Sequence, residues 1–273
     1  MDIHIDDDFS PALMANSGQC FRARELSPGL WRFVTGRRAV KIRELGAGDF
    51  RVSASAQEWE TLWLPYFDLG RNYRALRAAI PEEDTFLRTA AAAARGLRIL
   101  RQDPWEMLVT FIISQRKSIP AIAQAVERLC AHGVRIGAGL RGFPEPRRLR
   151  HLSATDLRAM GLGYRDVYLK AAIERMVSAP EDWRALATPA LLEALQTLPG
   201  VGIKVASCVA LFGYARLEVA PVDTWMLKIF RAAYGGRRPA WMDSPLAGLY
   251  QQYVFHWAIT HRAQINAAAG SPS

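Results

Sequence analysis

From Gln19 to Ser53 apolar and polar positions alternate in short runs: Gln19 to Arg22, Leu30 to Val34, Ala39 to Glu44 and Asp49 to Ser53. Pro28-Gly29, Gly36 and Gly46 to Gly48 separate them. A period of two, punctuated by residues suited to tight turns, predicts a small antiparallel sheet. From Glu58 the apolar positions recur at helical spacing instead, first over Glu58 to Tyr66 and Tyr73 to Ala79. Asp103-Pro104 sets a cap and an N1 proline before a helix from Trp105 to Ser114, and Ser118 opens another from Ile119 to Ala131, ended by Gly133. Helical patterns continue over Ala154 to Met160, Arg165 to Val177, Pro189 to Thr197, Gly202 to Leu211, Thr224 to Tyr234 and Pro245 to His261. The pattern predicts an α+β protein: residues 1–80 form an antiparallel sheet module with flanking helices, and residues 81–273 form a helical domain that ends in a loose Ala-Gly-Ser-Pro tail. No repeat recurs at a solenoid period.

Composition narrows the classes. With 50% hydrophobic and 22% charged residues in 273, the chain is globular and not a disordered basic tail. Thirty-five Lys plus Arg against 26 Asp plus Glu leave a formal charge of +9, which points to a polyanionic partner. The N-terminus carries Asp2, Asp6, Asp7 and Asp8 where a secretory signal needs basic residues, and no apolar run reaches a membrane span, so a soluble intracellular protein is expected. In a bacterium that means cytoplasm or nucleoid. Cys20, Cys130 and Cys208 stand far apart with no CxxC pair, which leaves neither a disulfide framework nor a four-cysteine metal site. Of the basic residues only five are lysines, at positions 41, 117, 170, 204 and 228. Arginine suits forked phosphate contacts and lysine can become a nucleophile, so the placement of lysines is informative; a codon bias toward arginine explains the same count.

The sharpest segment is Leu198-Pro199-Gly200-Val201-Gly202-Ile203-Lys204, between two helical patterns. Gly200 and Gly202 permit a tight turn and, with Val201, leave backbone N–H groups bare at a helix start, where a phosphate docks. On the following helix Val201, Val205, Val209 and Phe212 form a buried stripe, while Lys204 and Cys208 share an adjacent face. Burial and the positive helix end both disfavour an ammonium, which suits Lys204 to supplying a neutral amine; a lysine that only grips phosphate fits the same position. Nineteen residues on, Asp223 in Pro221-Val222-Asp223-Thr224-Trp225 takes an N-cap position. As a plain cap it is unremarkable in type, but a fixed carboxylate also suits stabilising a sugar cation under attack by the lysine.

At these residues the sequence resembles the helix-hairpin-helix DNA glycosylases, and within them the 8-oxoguanine DNA glycosylase/AP lyase branch. Gly18-Gln19-Cys20-Phe21-Arg22, Gln102-Asp103-Pro104 before Phe111-Ile112, and Gly161-Leu162-Gly163-Tyr164-Arg165 extend the match over most of the chain in the family's order. The resemblance implies a sheet packed on a helical domain with the lesion pocket in a cleft. It implies a catalytic pair, Lys204 attacking C1′ and Asp223 stabilising the oxocarbenium-like state. Gly18 would offer its carbonyl to the N7 hydrogen of the lesion, Gln251 would read the Watson–Crick edge, Phe255 would stack on the base, and Cys208 would line the pocket or be an ordinary buried cysteine. Tyr164, Arg165 and Arg116 would fill the vacated stack and meet the opposite base.

The expected partner is double-stranded DNA containing oxidised guanine, bound by a monomer with no cofactor, metal or membrane. Two departures stand out. Arg116 replaces an amide and Ala121 an arginine of the family's eukaryotic members, which implies a weaker preference for cytosine opposite the lesion. Trp225 replaces a histidine two residues after Asp223, so no phosphate contact is expected there. A monofunctional alkylbase glycosylase and a non-catalytic helix-hairpin-helix DNA-binding protein are the rival readings.

Overall fold

The computed structural model describes residues 1–137, 139–179 and 183–268. Five antiparallel strands form the sheet in the order β1-β5-β4-β3-β2: β1 (Asp2–His4), β2 (Arg24–Ser27), β3 (Leu30–Thr35), β4 (Arg38–Gly46) and β5 (Asp49–Val52). Strands β3 to β5 follow the predicted alternation, whereas β2 lies just past the first expected run and is exposed along most of its length. Val40 and Ile42 of β4 and Phe50 and Val52 of β5 are buried, while Lys41, Asp49 and Arg51 face outward. That buried face packs on Trp59, Trp63, Tyr66 and Phe67, from a helical stretch with a π turn at Trp59–Trp63.

Two sheet expectations fail for physical reasons. Gln19 to Arg22 is not a strand, because Gly18 takes φ +78° and the Gln19 side chain is bonded inward, which ends any extended ladder. β1 was missed because Asp2 and His4 are exposed and only Ile3 is partly buried; what places the strand is pairing with the outer edge of β5.

The helical body contains α1 (Pro11–Asn16), α2 (Tyr73–Ala78), α3 (Thr85–Ala93), α4 (Pro104–Ser114), α5 (Ile119–Cys130), α6 (Arg165–Ser178), α7 (Thr188–Gln196), α8 (Ile203–Tyr214), α9 (Thr224–Tyr234), α10 (Ala247–Thr260) and α11 (Arg262–Ala268). Asp103 caps α4 through the Glu106 amide, as its Asp-Pro pair predicts. A short pair of strands, Arg135–Gly137 and Leu140–Arg141, interrupts the helices after α5. The tail takes helical form as far as Ala268; the rest of it, residues 269–273, lies outside the described residues. Among the described residues no helix is long and apolar enough to cross a membrane.

The seam between sheet and helices is ionic. Arg98, with no exposed side-chain area, donates to Asp7 (3.1 Å) and to the carbonyls of Asp8, Phe67, Asp68 and Arg71, and lies 4.2 Å over the Tyr73 ring. Nearby, burial pushes the Glu106 carboxyl up to about 7, with the charge of Arg22 opposing.

Candidate active site

The hairpin is closed by the Val201 amide donating to the Leu198 carbonyl (3.1 Å). Gly200 takes φ +76° against the Tyr168 ring, where a Cβ would overlap it, so the glycine is required twice over. Gly202 is the N-cap of α8 and supplies no side chain, so the first N–H groups of that helix are left to a ligand or solvent. The stripe Val201, Val205, Val209 and Phe212 is buried as expected; Ala206, Ala210 and Leu211 are buried too, so α8 runs through the core.

Lys204 emerges half-buried from this packed helix, its Nζ 5.4 Å from the centre of the Phe111 ring, which is itself stacked on Phe212 at 5.6 Å. One turn on, the Cys208 thiol is pushed up to about 11, chiefly by burial. The Lys204 ammonium draws it back down, in part by hydrogen bonding, and the Asp223 charge pushes it further up. Lys204, Cys208 and Asp223 therefore share one electrostatic site. Asp223 is held there by its own cap bond, its Oδ1 accepting from the Met226 amide at 2.9 Å.

Gly18 is fixed from behind. The Gln19 side chain donates to Ser17 Oγ and the Arg98 carbonyl (both 2.9 Å) and accepts from the Leu100 amide (2.7 Å), and Gln102 Nε2 donates to the Gln19 carbonyl (2.7 Å). Phe255 lies against Gly18: its Cε1 is 3.6 Å from where a Cβ would stand, and Ile119 follows at 3.9 Å. Gln251, one turn before Phe255 on α10, is 3% exposed; its Oε1 accepts from Gln252 (2.9 Å), and its amide N–H groups bond none of the described residues. Tyr250 and Val254, on the other face of α10, point into the core, while Trp257 on that face is half-buried. Phe21 joins the two halves of the site by meeting Phe111 edge-on at 6.2 Å.

Tyr164 is 48% exposed, as a wedge requires, with the Tyr168 ring edge-on at 6.0 Å. Arg165 differs from the expected exposed partner. It is 6% exposed, and its guanidinium donates to the carbonyls of Leu162 (3.0 Å) and Gln115 and stacks on Tyr164 at 4.4 Å. Two backbone acceptors hold it inward, so it braces the loop between α4 and α5. Gln115 completes the brace by donating to the Gly200 carbonyl (3.1 Å). Arg116, in left-handed conformation at φ +52°, stays exposed on that loop. Among the described residues no three His, Cys, Asp or Glu side chains are grouped to hold a metal.

Residues 3–108 match the family described as 8-oxoguanine DNA glycosylase, N-terminal domain. Over 229 residues the chain is 29% identical to the N-glycosylase/DNA lyase OGG1 of Arabidopsis thaliana, covering 78% of this chain and 63% of that protein. The chain thus spans less than two thirds of that curated relative's length. The structure of MBOgg1 with a low affinity DNA ligand superposes with a TM-score of 0.89 at 29% identity, covering 96% of each chain. Along most of its length the chain is thus similar to the 8-oxoguanine glycosylases of the helix-hairpin-helix DNA glycosylase superfamily. A second glycosylase of this group, the Clostridium acetobutylicum 8-oxoguanine glycosylase/lyase with double-stranded DNA containing cytosine opposite 8-oxoG, superposes at 0.87 with 26% identity, over 96% of this chain and 98% of that one.

The parts of the site that local sequence patterns leave without a role are supporting ones. Gln19, Gln102 and Gln115 each tie two backbone segments together, and a buried amide that does so leaves no periodic signal in the sequence. Tyr168 sits one turn after Tyr164, a spacing that could have been noticed.

Proposed function

We propose that this chain is a bifunctional glycosylase/AP lyase that takes 8-oxoguanine out of duplex DNA and cuts the strand at the resulting site. The observation that carries the reading is the grouping of Lys204 and Asp223, at the starts of two helices, with Cys208 one turn further into α8, beside the hairpin.

The Lys204 amine attacks C1′ of the flipped nucleotide, and the N-glycosidic bond breaks with its electron pair leaving on the base. Asp223 faces the positive charge that develops on the sugar, in a site where burial makes that attraction count. The sugar ring opens to a Schiff base between C1′ and Nζ. Loss of a C2′ proton then drives β-elimination, the C3′–O bond breaks, and the phosphate departs; water returns the free amine. Cys208 stays a thiol at physiological pH, so it adds no negative charge beside the lysine.

The base is read in the slot between Gly18 and Phe255. Only an added Cβ at Gly18 would bring the two into ordinary contact, so the bare glycine leaves a narrow gap that an entering base widens by displacing the ring, which then stacks on it. The Gly18 carbonyl, held by the Gln19 bonds, accepts the N7 hydrogen that guanine lacks, and an unmatched buried acceptor costs guanine about 1–3 kcal/mol. The Gln251 amide N–H groups are open to the Watson–Crick edge. Tyr164 fills the vacated stack while Arg116 meets the opposite base. The N–H groups of Gly200 and Gly202 and the start of α8 take a backbone phosphate; the Val201 amide, expected to be bare as well, is engaged by the Leu198 carbonyl.

Base release from matched duplexes tests the reading. The expected result is release of 8-oxoguanine, none of guanine, and rates that change only a few-fold when adenine replaces cytosine opposite. Release of alkylated purines alone, with 8-oxoguanine untouched, would replace it with the monofunctional reading.

A further inference from the structure

Trp225 sits in the first turn of α9, two residues past Asp223, with its ring half-buried. Two cations rest on that ring: Lys228 Nζ lies 5.0 Å from its centre and Arg262 Cζ 5.6 Å. Lys228 comes from the next turn of the same helix, and Arg262 opens α11, which packs on α9. Lys228 spends one of its three donors on Asn266 Oδ1 (3.1 Å). Arg262 makes no hydrogen bond or ion pair with any described residue, and neither cation has a carboxylate partner among them.

Two like charges gathered on one ring repel each other, and each cation–ring contact at an exposed position is worth only about 0.5–1 kcal/mol. A bound anion that meets both heads offsets the repulsion and uses the donors they hold in reserve. The ring fixes both heads without neutralising either. Lys228 stands about 7.5 Å along the helix axis from Asp223 at 1.5 Å per residue. That is the span of about two nucleotides on one DNA strand at 3.4 Å each.

We propose that Trp225, Lys228 and Arg262 form a second phosphate-binding site, which takes a backbone phosphate of the damaged strand near the nucleotide held by Lys204. The histidine expected at position 225 would touch the phosphate itself; here the aromatic residue is a platform and the contact passes to two cations, one of them on another helix. The proposal rests on the reading of this chain as a DNA glycosylase.

Binding of wild type, Arg262→Ala, Lys228→Ala and Trp225→Leu to a duplex is measured by anisotropy across a salt series, with undamaged and 8-oxoguanine strands. Losing one phosphate contact reduces the slope of log K against log salt by about 0.9, and this is expected for Arg262→Ala, with Trp225→Phe restoring what Trp225→Leu loses. A scan of single uncharged methylphosphonate linkages around the lesion then places the contact. One linkage should weaken wild type and leave Arg262→Ala no weaker than before. An unchanged slope, or equal losses for wild type and variant at every linkage, overturns the site. Because the slope is read on undamaged duplex as well, a wild-type protein that releases no 8-oxoguanine would sink the enzymatic reading and leave this test standing.

Discussion

Arginines at the seam and cations around the hairpin live under opposite rules. At the seam Arg98 has no exposed surface and five acceptors, Asp8 takes Arg77 and Arg95, and Asp68 takes Arg71 and Arg101. On the hairpin side Arg116 and Lys204, and on α9 and α11 Lys228 and Arg262, pair with no carboxylate among the described residues. The lesson concerns charge counting: a formal +9 does not spread evenly over the surface, because many arginines are consumed in holding the sheet to the helices.

The largest expected effect breaks the seam. Arg98→Leu leaves the Asp7 carboxylate and four carbonyls without their cation, and removing one partner of such a buried pair costs about 3–5 kcal/mol. A urea midpoint should fall accordingly, and the salt slope of DNA binding by the folded protein should not move. A slope that dropped with the midpoint would mean that the seam and the DNA face are not separate.

Next comes Glu106, buried behind the same seam. Its carboxyl is pushed up to about 7, so the folded protein holds a proton that the unfolded chain releases near 4.5. Stability from this group is full below that lower value, is lost as pH rises to about 7, and stays lost above it. The loss is about 3 kcal/mol at about 1.4 kcal/mol per unit. Glu106→Gln should therefore flatten the decline in urea midpoint between pH 5 and pH 8 relative to wild type; parallel declines would remove Glu106 as the cause. The smallest effect sharpens the other side: Arg262→Ala, exposed and without a protein partner, should shift stability by no more than about 0.5 kcal/mol while changing the salt slope.

The chain itself disclosed much of this, unevenly. Period-two alternation located β3, β4 and β5, and Asp103-Pro104 located α4, because local preference and tertiary burial agree there. α3 carries a weaker signal: Thr85-Phe86-Leu87-Arg88-Thr89 followed by four alanines offers little amphipathic contrast. The hairpin, Lys204 and Asp223 were legible because glycine geometry and helix capping are local. Arg165 was not, since its burial depends on the Gln115 carbonyl fifty residues away. Nor was the Trp225 platform, which needs a helix from the chain's last residues to close over α9.

The central claim is that the Lys204 amine bonds to the sugar. Borohydride reduction of the wild-type protein mixed with an 8-oxoguanine duplex measures this directly, because it fixes a Schiff base as a stable protein–DNA adduct. The account predicts an adduct that is lost, together with strand cleavage, in Lys204→Gln. An adduct or nicking that persists in Lys204→Gln would contradict it.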